Sequence, residues 1–350
     1  MSVEVSWFAA LCDDDHEFLG VSDPALLSSW EHCRGIALAA EEAGFDNILL
    51  PSGYALGIDS VAFAAGIAPL LRRMRLLLAV RLGEMWVPQL ARQLASIDQM
   101  LGGRLTVNVI SSDLPGQTLG SAPRYRRTLE IMRVLRSLLD GQPVDVDGEF
   151  VQLTLDPPRV RAVGRAPFYF GGMSEAAREV AAQAADVFLL WPDTLPKVAA
   201  TLDDLRARAA AHGRTLRFGY RAHVIVRETE AEARAAAARL VSKLDDGVGE
   251  RVRAQSLDTG SAGVANQVAL RDSADDEGYA EANLWTGIGR ARSGAGAAIV
   301  GDPDQVRAKL TAYAELGVEC FILSGYPHRT EADLFARYVL PGLDHAPLEF

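Results

Sequence analysis

The feature that most constrains this chain is an alternation. Short apolar runs are each followed by a longer amphipathic segment, and the order repeats eight times. The runs are VSWFAAL, NILLP, RLLLAVR, LTVNVIS, PFYFGG, DVFLLWP, RFGYRAHVIVR and CFILSGYP. After them come segments such as LLSSWEHCRGIALAAEEAG and VPQLARQLASIDQMLGG, with helical spacing of apolar side chains and a closing glycine. Strands separated by helices run parallel, because a tight hairpin is unavailable to them. Eight units predict a closed (β/α)8 barrel of the TIM type, with 1–350 as a single domain. A doubly wound open sheet would show a glycine-rich turn after its first strand, and FAALCDDDHEF has none.

Two stretches interrupt the pattern. VDVDGEFVQLTL reads as a small hairpin with Asp147-Gly148 at its turn. Residues 246–298 form a long Gly/Ser/Asp-rich insertion before the last βα unit, expected to be a mobile lid. Neither half carries a basic run and the net charge is -11, which argues against nucleic acid or an anionic membrane as the main partner. The N-terminus lacks a signal-peptide pattern, and no apolar run is long enough to span a bilayer. Cys12, Cys33 and Cys320 match no zinc or redox spacing, so no metal is expected and a reducing cytoplasm is the simplest setting. Cys33 and Cys320 sit in apolar patterns and read as packing residues.

In a barrel of this kind, functional side chains collect where the strands end. The fourth unit offers Asn108, Ser111 and Ser112 there; the fifth offers Gly171, Gly172, Met173 and Ser174. The sixth gives Trp191, the seventh Arg221 and His223, and the eighth Tyr326 and His328. Arg290 and Arg292 lie in GIGRARSGAG, within the insertion. A Gly-Gly turn opening a helix exposes backbone N–H groups to a phosphate, although such turns are common. Arginines present a planar fork to sulfonate, phosphate or carboxylate. Singly, each Arg is more often a surface residue, and a lone strand His or Trp more often belongs to the core. Their convergence on one mouth favours an anion site.

These stretches resemble the FMN-dependent alkanesulfonate monooxygenases of the bacterial luciferase-like superfamily. The resemblance runs from SWF to VLPGLD and is carried by ARQLASIDQMLGGR, FYFGGMS, FGYRAHVIVRETEAEA, NLWTGIGRARSGAGAAIVGD and GVECFILSGYPH. It implies a two-component enzyme that receives reduced FMN from a separate NAD(P)H:FMN reductase. With O2 such an enzyme splits the carbon–sulfur bond of an alkanesulfonate into an aldehyde and sulfite. It also implies that Arg221, His223, Arg292 and Tyr326 are catalytic, with Trp191 and His328 against the substrate. Asn108 and Tyr125 would contact the flavin, and Gly172, Met173 and Ser174 would hold its phosphate. A homo-oligomer, dimer or tetramer, is implied by the family alone.

Four departures lie at the mouth. PSGYALGID replaces a segment that usually carries a cysteine, and Cys12 stands where histidine is usual. GEMW and a shortened NVISSDL complete the set. They put the substrate in question and leave a second reading, the same flavin and O2 chemistry on a sulfone or specialised metabolite. A deazaflavin (F420) oxidoreductase and a non-catalytic flavin-binding barrel are the remaining alternatives.

Overall fold

A strand covered by helices outside and by its neighbours' side chains inside has no wet face, which is why these strands read as unbroken apolar runs. The computed structural model describes all residues except 1, 56, 246, 248 and 251–260. The strands, in chain order, are β1 (Glu4–Phe8), β2 (Asn47–Leu50), β3 (Arg75–Arg81), β4 (Leu105–Ile110), β5 (Val144–Asp147) and β6 (Gln152–Leu155). There follow β7 (Phe168–Phe170), β8 (Val187–Leu190), β9 (Arg217–Val226), β10 (Tyr279–Glu281), β11 (Leu284–Trp285), β12 (Ala298–Gly301) and β13 (Cys320–Ser324).

Eight of them close a parallel barrel in the order β1-β2-β3-β4-β7-β8-β9-β13, with β13 returning to β1. Every strand run anticipated from the sequence is present. The expected (β/α)8 architecture therefore holds. β5 and β6 form the expected antiparallel hairpin, Asp147 pairing with Gln152 and Gly148 starting the turn between them.

β9 is long because it serves two sets of neighbours. Its first half pairs with β8 and β13, and its second half, from His223 to Val226, pairs with β12. β12 is a parallel strand that the sequence reading did not separate from the insertion. Together with β10 and β11 it extends the sheet beyond the barrel wall. The described part of the insertion thus contains a helix, Ala262–Asp272, the two short strands β10 and β11 and a 3-10 turn, Gly287–Arg290, and ends where β12 begins. The rest of the anticipated lid, at 246, 248 and 251–260, lies outside the described residues.

Between barrel and helices, Trp7, Phe45 and Phe335 pack ring against ring, with centroids 5.1 to 6.3 Å apart. Each such fully buried ring contributes about 2–3 kcal/mol of apolar transfer. Inside the barrel, Leu49, Leu77, Tyr169, Leu189 and Ile322 fill the middle. At its lower end Glu4 is fully buried, and its carboxylate accepts from Asn47 Nδ2 at 3.1 Å and from the Leu348 N–H at 3.0 Å. The C-terminal residues therefore cover the bottom of the barrel. Cys33 and Cys320 are fully buried, as expected of packing residues.

Candidate active site

The mouth of the barrel opens into a cavity of about 440 Å³. On one side, β7 ends in Gly171 and Gly172, and the helix Glu175–Ala184 begins with Ser174 as its N-cap, its Oγ accepting from the Ala177 N–H at 3.2 Å. Gly172 has φ +155, and a Cβ there would lie 2.6 Å from Ala177 Cβ and 3.2 Å from Tyr125 Oη. The turn needs glycine because a Cβ would strike Ala177 and because L side chains rarely adopt this backbone angle. Arg124 pairs with Asp113 at 3.2 Å, yet its buried Nε finds no acceptor among the described residues. Helix-end N–H groups, the Tyr125 hydroxyl and a spare guanidinium N–H make a cradle for a phosphate-sized anion.

The other side is cationic. Arg221 rises from β9 beneath the Phe8 ring, its guanidinium 4.3 Å from the ring centroid. Its Nη2 donates to Ser324 Oγ at 2.8 Å and its Nη1 to the Ala222 carbonyl at 2.6 Å. Among the described residues it pairs with no carboxylate, while its exposure is 6%. Burial, and then repulsion from Arg292, push its pKa down to about 9, so it remains charged at neutral pH. A buried cation without a counter-charge is costly unless an anion arrives.

Arg292 completes the pair. It contacts Asp13 Oδ2 at 3.1 Å, donates to the Tyr326 hydroxyl and lies 3.9 Å from Cys12 Sγ. Burial opposes its charge, but Tyr326, Asp13 and Cys12 outweigh that and raise its pKa. Burial also raises the Tyr326 pKa against the pull of Arg292, so the phenol keeps its proton. Cys12 is likewise held as a thiol by burial, despite Arg292.

Behind this pair stands a layer of rings. His223 stacks on Tyr326 with centroids 5.3 Å apart, and its Nδ1 lies 2.8 Å from Ser324 Oγ. Ser324 Oγ thus accepts from Arg221 and meets His223 Nδ1, and which of these two groups donates follows the ring's tautomer. Burial, then Arg221 and Arg292, push the His223 pKa well below its usual value; the Ala295 carbonyl favours the charged ring, but too weakly to matter. Its Nε2 is buried and meets no hydrogen-bond partner of good geometry among the described residues.

The structure brings Asn108, Tyr125, Gly172, Met173, Ser174, Trp191, Arg221 and Arg292 to one cavity wall. Among the described residues, His223, Tyr326 and His328 do not line it. They stand directly behind Arg221 and Arg292, and His328 is turned toward Asp15, with its Nδ1 2.9 Å from the carboxylate. Sequence reasoning overlooked Arg81, Arg124 and Asp13. Arg81 is the last residue of RLLLAVR and could have been found by the same strand-end rule. It is 5% exposed, with Nε 3.0 Å from Glu84 Oε1 in an ion pair, and its Nη1 makes no hydrogen bond. Asp13 lies in a run of three aspartates that reads as a solvated turn.

A parallel barrel whose only described large opening holds an anion cradle opposite one buried and one half-buried guanidinium belongs among cofactor-using barrel enzymes. Residues 8–320 match the family of luciferase-like monooxygenases, and the chain belongs to that family. It is a monooxygenase. It is 62% identical over 354 residues to a sulfoquinovose monooxygenase of Novosphingobium aromaticivorans, covering 99% of this chain and 98% of the relative. It is 50% identical over 344 residues to a sulfoquinovose monooxygenase of Agrobacterium fabrum, covering 97% and 89%. Among solved structures, the EDTA monooxygenase of Chelativorans sp. BNC1 is similar with a TM-score of 0.77 at 17% identity, covering 97% of this chain and 93% of that one. At that identity the likeness concerns the fold.

Proposed function

We propose that this protein is a two-component monooxygenase that takes reduced FMN from a separate flavin reductase and cleaves the carbon–sulfur bond of sulfoquinovose, a sugar bearing a sulfonate on a primary carbon. The overall reaction joins R–CH2–SO3⁻, O2 and two reducing equivalents with their protons to give R–CHO, HSO3⁻ and water. Carbon is oxidised to the aldehyde, one oxygen atom enters the organic product and the other becomes water. This reading keeps the expectation of organosulfonate desulfonation and puts the sugar sulfonate in place of a simple alkanesulfonate, because the relatives are named for sulfoquinovose. The observation that carries this reading is Arg221, a buried guanidinium with no carboxylate partner among the described residues. The two highly identical relatives support it.

The residues at the mouth fit FMN. The Gly172 turn, the Ser174 helix end, Tyr125 and the spare Arg124 Nε suit its phosphate. When bound, reduced FMN supplies the electrons with which O2 is divided between product and water. The chain's own residues do the rest. Arg221 and Arg292 hold the sulfonate by charge-assisted hydrogen bonds, each contributing about 1.5–3 kcal/mol. The Tyr326 phenol, fixed on Arg292, keeps a proton available beside them. His223 stays neutral, so it adds no third positive charge. Trp191 excludes water, its ring so close to the Gly263 and Gly294 backbone that a Cβ on Gly263 would lie 2.8 Å from it.

The test is sulfite release. Enzyme, O2 and FMN kept reduced by a generic flavin reductase would be given sulfoquinovose, a series of alkanesulfonates, and no substrate. Sulfite from sulfoquinovose at a higher kcat/KM than from any alkanesulfonate is expected. Preference for an alkanesulfonate would refute the sugar assignment, and no sulfite from any of them would refute desulfonation.

A further inference from the structure

Asp15 is fully buried on the loop after β1 and does not line the cavity, yet it is among the most heavily bonded carboxylates in the molecule. It accepts the His328 main-chain N–H at 3.1 and 3.0 Å from its two oxygens, and His328 Nδ1–H at 2.9 Å. It also accepts the His16 N–H at 2.8 Å, and His32 Nε2 lies 3.0 Å from Oδ2. Burial works against its charge, but His328 and His32 more than offset this and hold it well below the usual carboxylate range.

Two consequences converge on Tyr326. His328 is the first residue of the helix His328–Tyr338, whose N-cap position is Pro327, with no side chain to cap it. Asp15 supplies that cap from another part of the chain, pinning the turn that carries Tyr326 two residues upstream. With Nδ1–H committed to Asp15, the His328 ring is fixed in orientation. It meets Tyr326 edge-on at 5.0 Å, and His16, whose N–H also reaches Asp15, packs its ring 5.7 Å from Tyr326. On this side of the phenol, the His328 ring and the His16 main chain are therefore tied to one carboxylate.

We propose that Asp15 is a positioning residue for Tyr326, holding the turn and the His328 ring so that the phenol meets Arg292. The role assigned to Arg292 and Tyr326 in desulfonation is the reading on which this rests. Asp15→Asn keeps an acceptor for the main-chain N–H but loses the charge and presents an amide to His328. It should lower kcat for sulfite release about tenfold with little change in KM or FMN affinity. In a Tyr326→Phe background the same change should cost less than about twofold, because residues acting through one another are not additive. A crystal structure of Asp15→Asn should show the Tyr326 hydroxyl away from Arg292.

Independent effects that multiply in the double variant would overturn the proposal, as would a variant structure with Tyr326 still on Arg292. Should Asp15→Asn fail to fold, His328→Gln keeps the backbone cap and removes the ring. Its loss of kcat should likewise vanish in the Tyr326→Phe background, and persistence there would overturn the proposal. Wild-type enzyme that released no sulfite would refute the functional reading, while the crystal structure would still decide where Asp15 holds Tyr326.

Discussion

The two ends of the barrel both bury charge, and they treat it oppositely. At the bottom, Glu4 is surrounded by donors from Asn47, Ser6, Tyr169 and the Leu348 backbone, and the C-terminal residues cover it. Its needs are met from within the chain. At the mouth, Arg221 has only a hydroxyl and backbone carbonyls for company, with Arg292 adding like charge. The bottom is closed on itself, whereas at the mouth Arg221 has no carboxylate partner among the described residues. Burial of a charge alone therefore does not mark a functional site; burial without compensation does.

The sharpest way to break this comparison is Arg292→Met. It removes the partner of Asp13 and Tyr326 together and leaves Arg221 alone, so kcat/KM for sulfite release should fall about a thousandfold, from a loss of roughly 4 kcal/mol. Steady-state sulfite assays would measure it, and a fall below tenfold would contradict the account. A smaller effect is expected at the cradle. Gly172→Ala forces a side chain into Ala177 from a backbone angle that disfavours one, and should weaken FMN binding about tenfold to a hundredfold, read by flavin fluorescence.

The smallest effect on activity belongs to the bottom. Glu4→Gln should change kcat/KM by less than about twofold, because it touches nothing at the mouth. Its stability should respond to pH instead. Burial raises the Glu4 pKa, so the folded state binds the proton more tightly than the unfolded chain and loses stability as pH rises through the carboxylate range. Removing the titration should make the variant's melting temperature, relative to wild type, higher at pH 8 than at pH 4. Calorimetry at both pH values checks the sign.

The fold was legible because its signal is periodic and repeated. Each barrel strand is a continuous apolar run and most helices end at a glycine or a turn, so eight weak indications reinforce one another. β10, β11 and β12 were not legible, since strands of two to four residues in a Gly/Ser-rich stretch show no period to read. At the site, Trp191, Arg221, Arg292 and the Gly172 turn were found because they follow apolar runs or match family stretches. Tyr326 and His223 were found by the same route, but their place behind the guanidiniums depends on side-chain direction, which spacing does not give. Asp15 and its hold on His328 were invisible because 313 residues separate the partners. Only the closing of β13 against β1 brings them together.

The most direct test of the central claim is a comparison of Arg221→Met with wild type, measuring KM for sulfoquinovose and the dissociation constant for reduced FMN in the same preparations. The account predicts a KM raised about a hundredfold, corresponding to roughly 3 kcal/mol, with FMN affinity unchanged within about threefold. An unchanged KM, or a loss confined to FMN binding, would mean that the uncompensated charge at the mouth serves something other than the sulfonate.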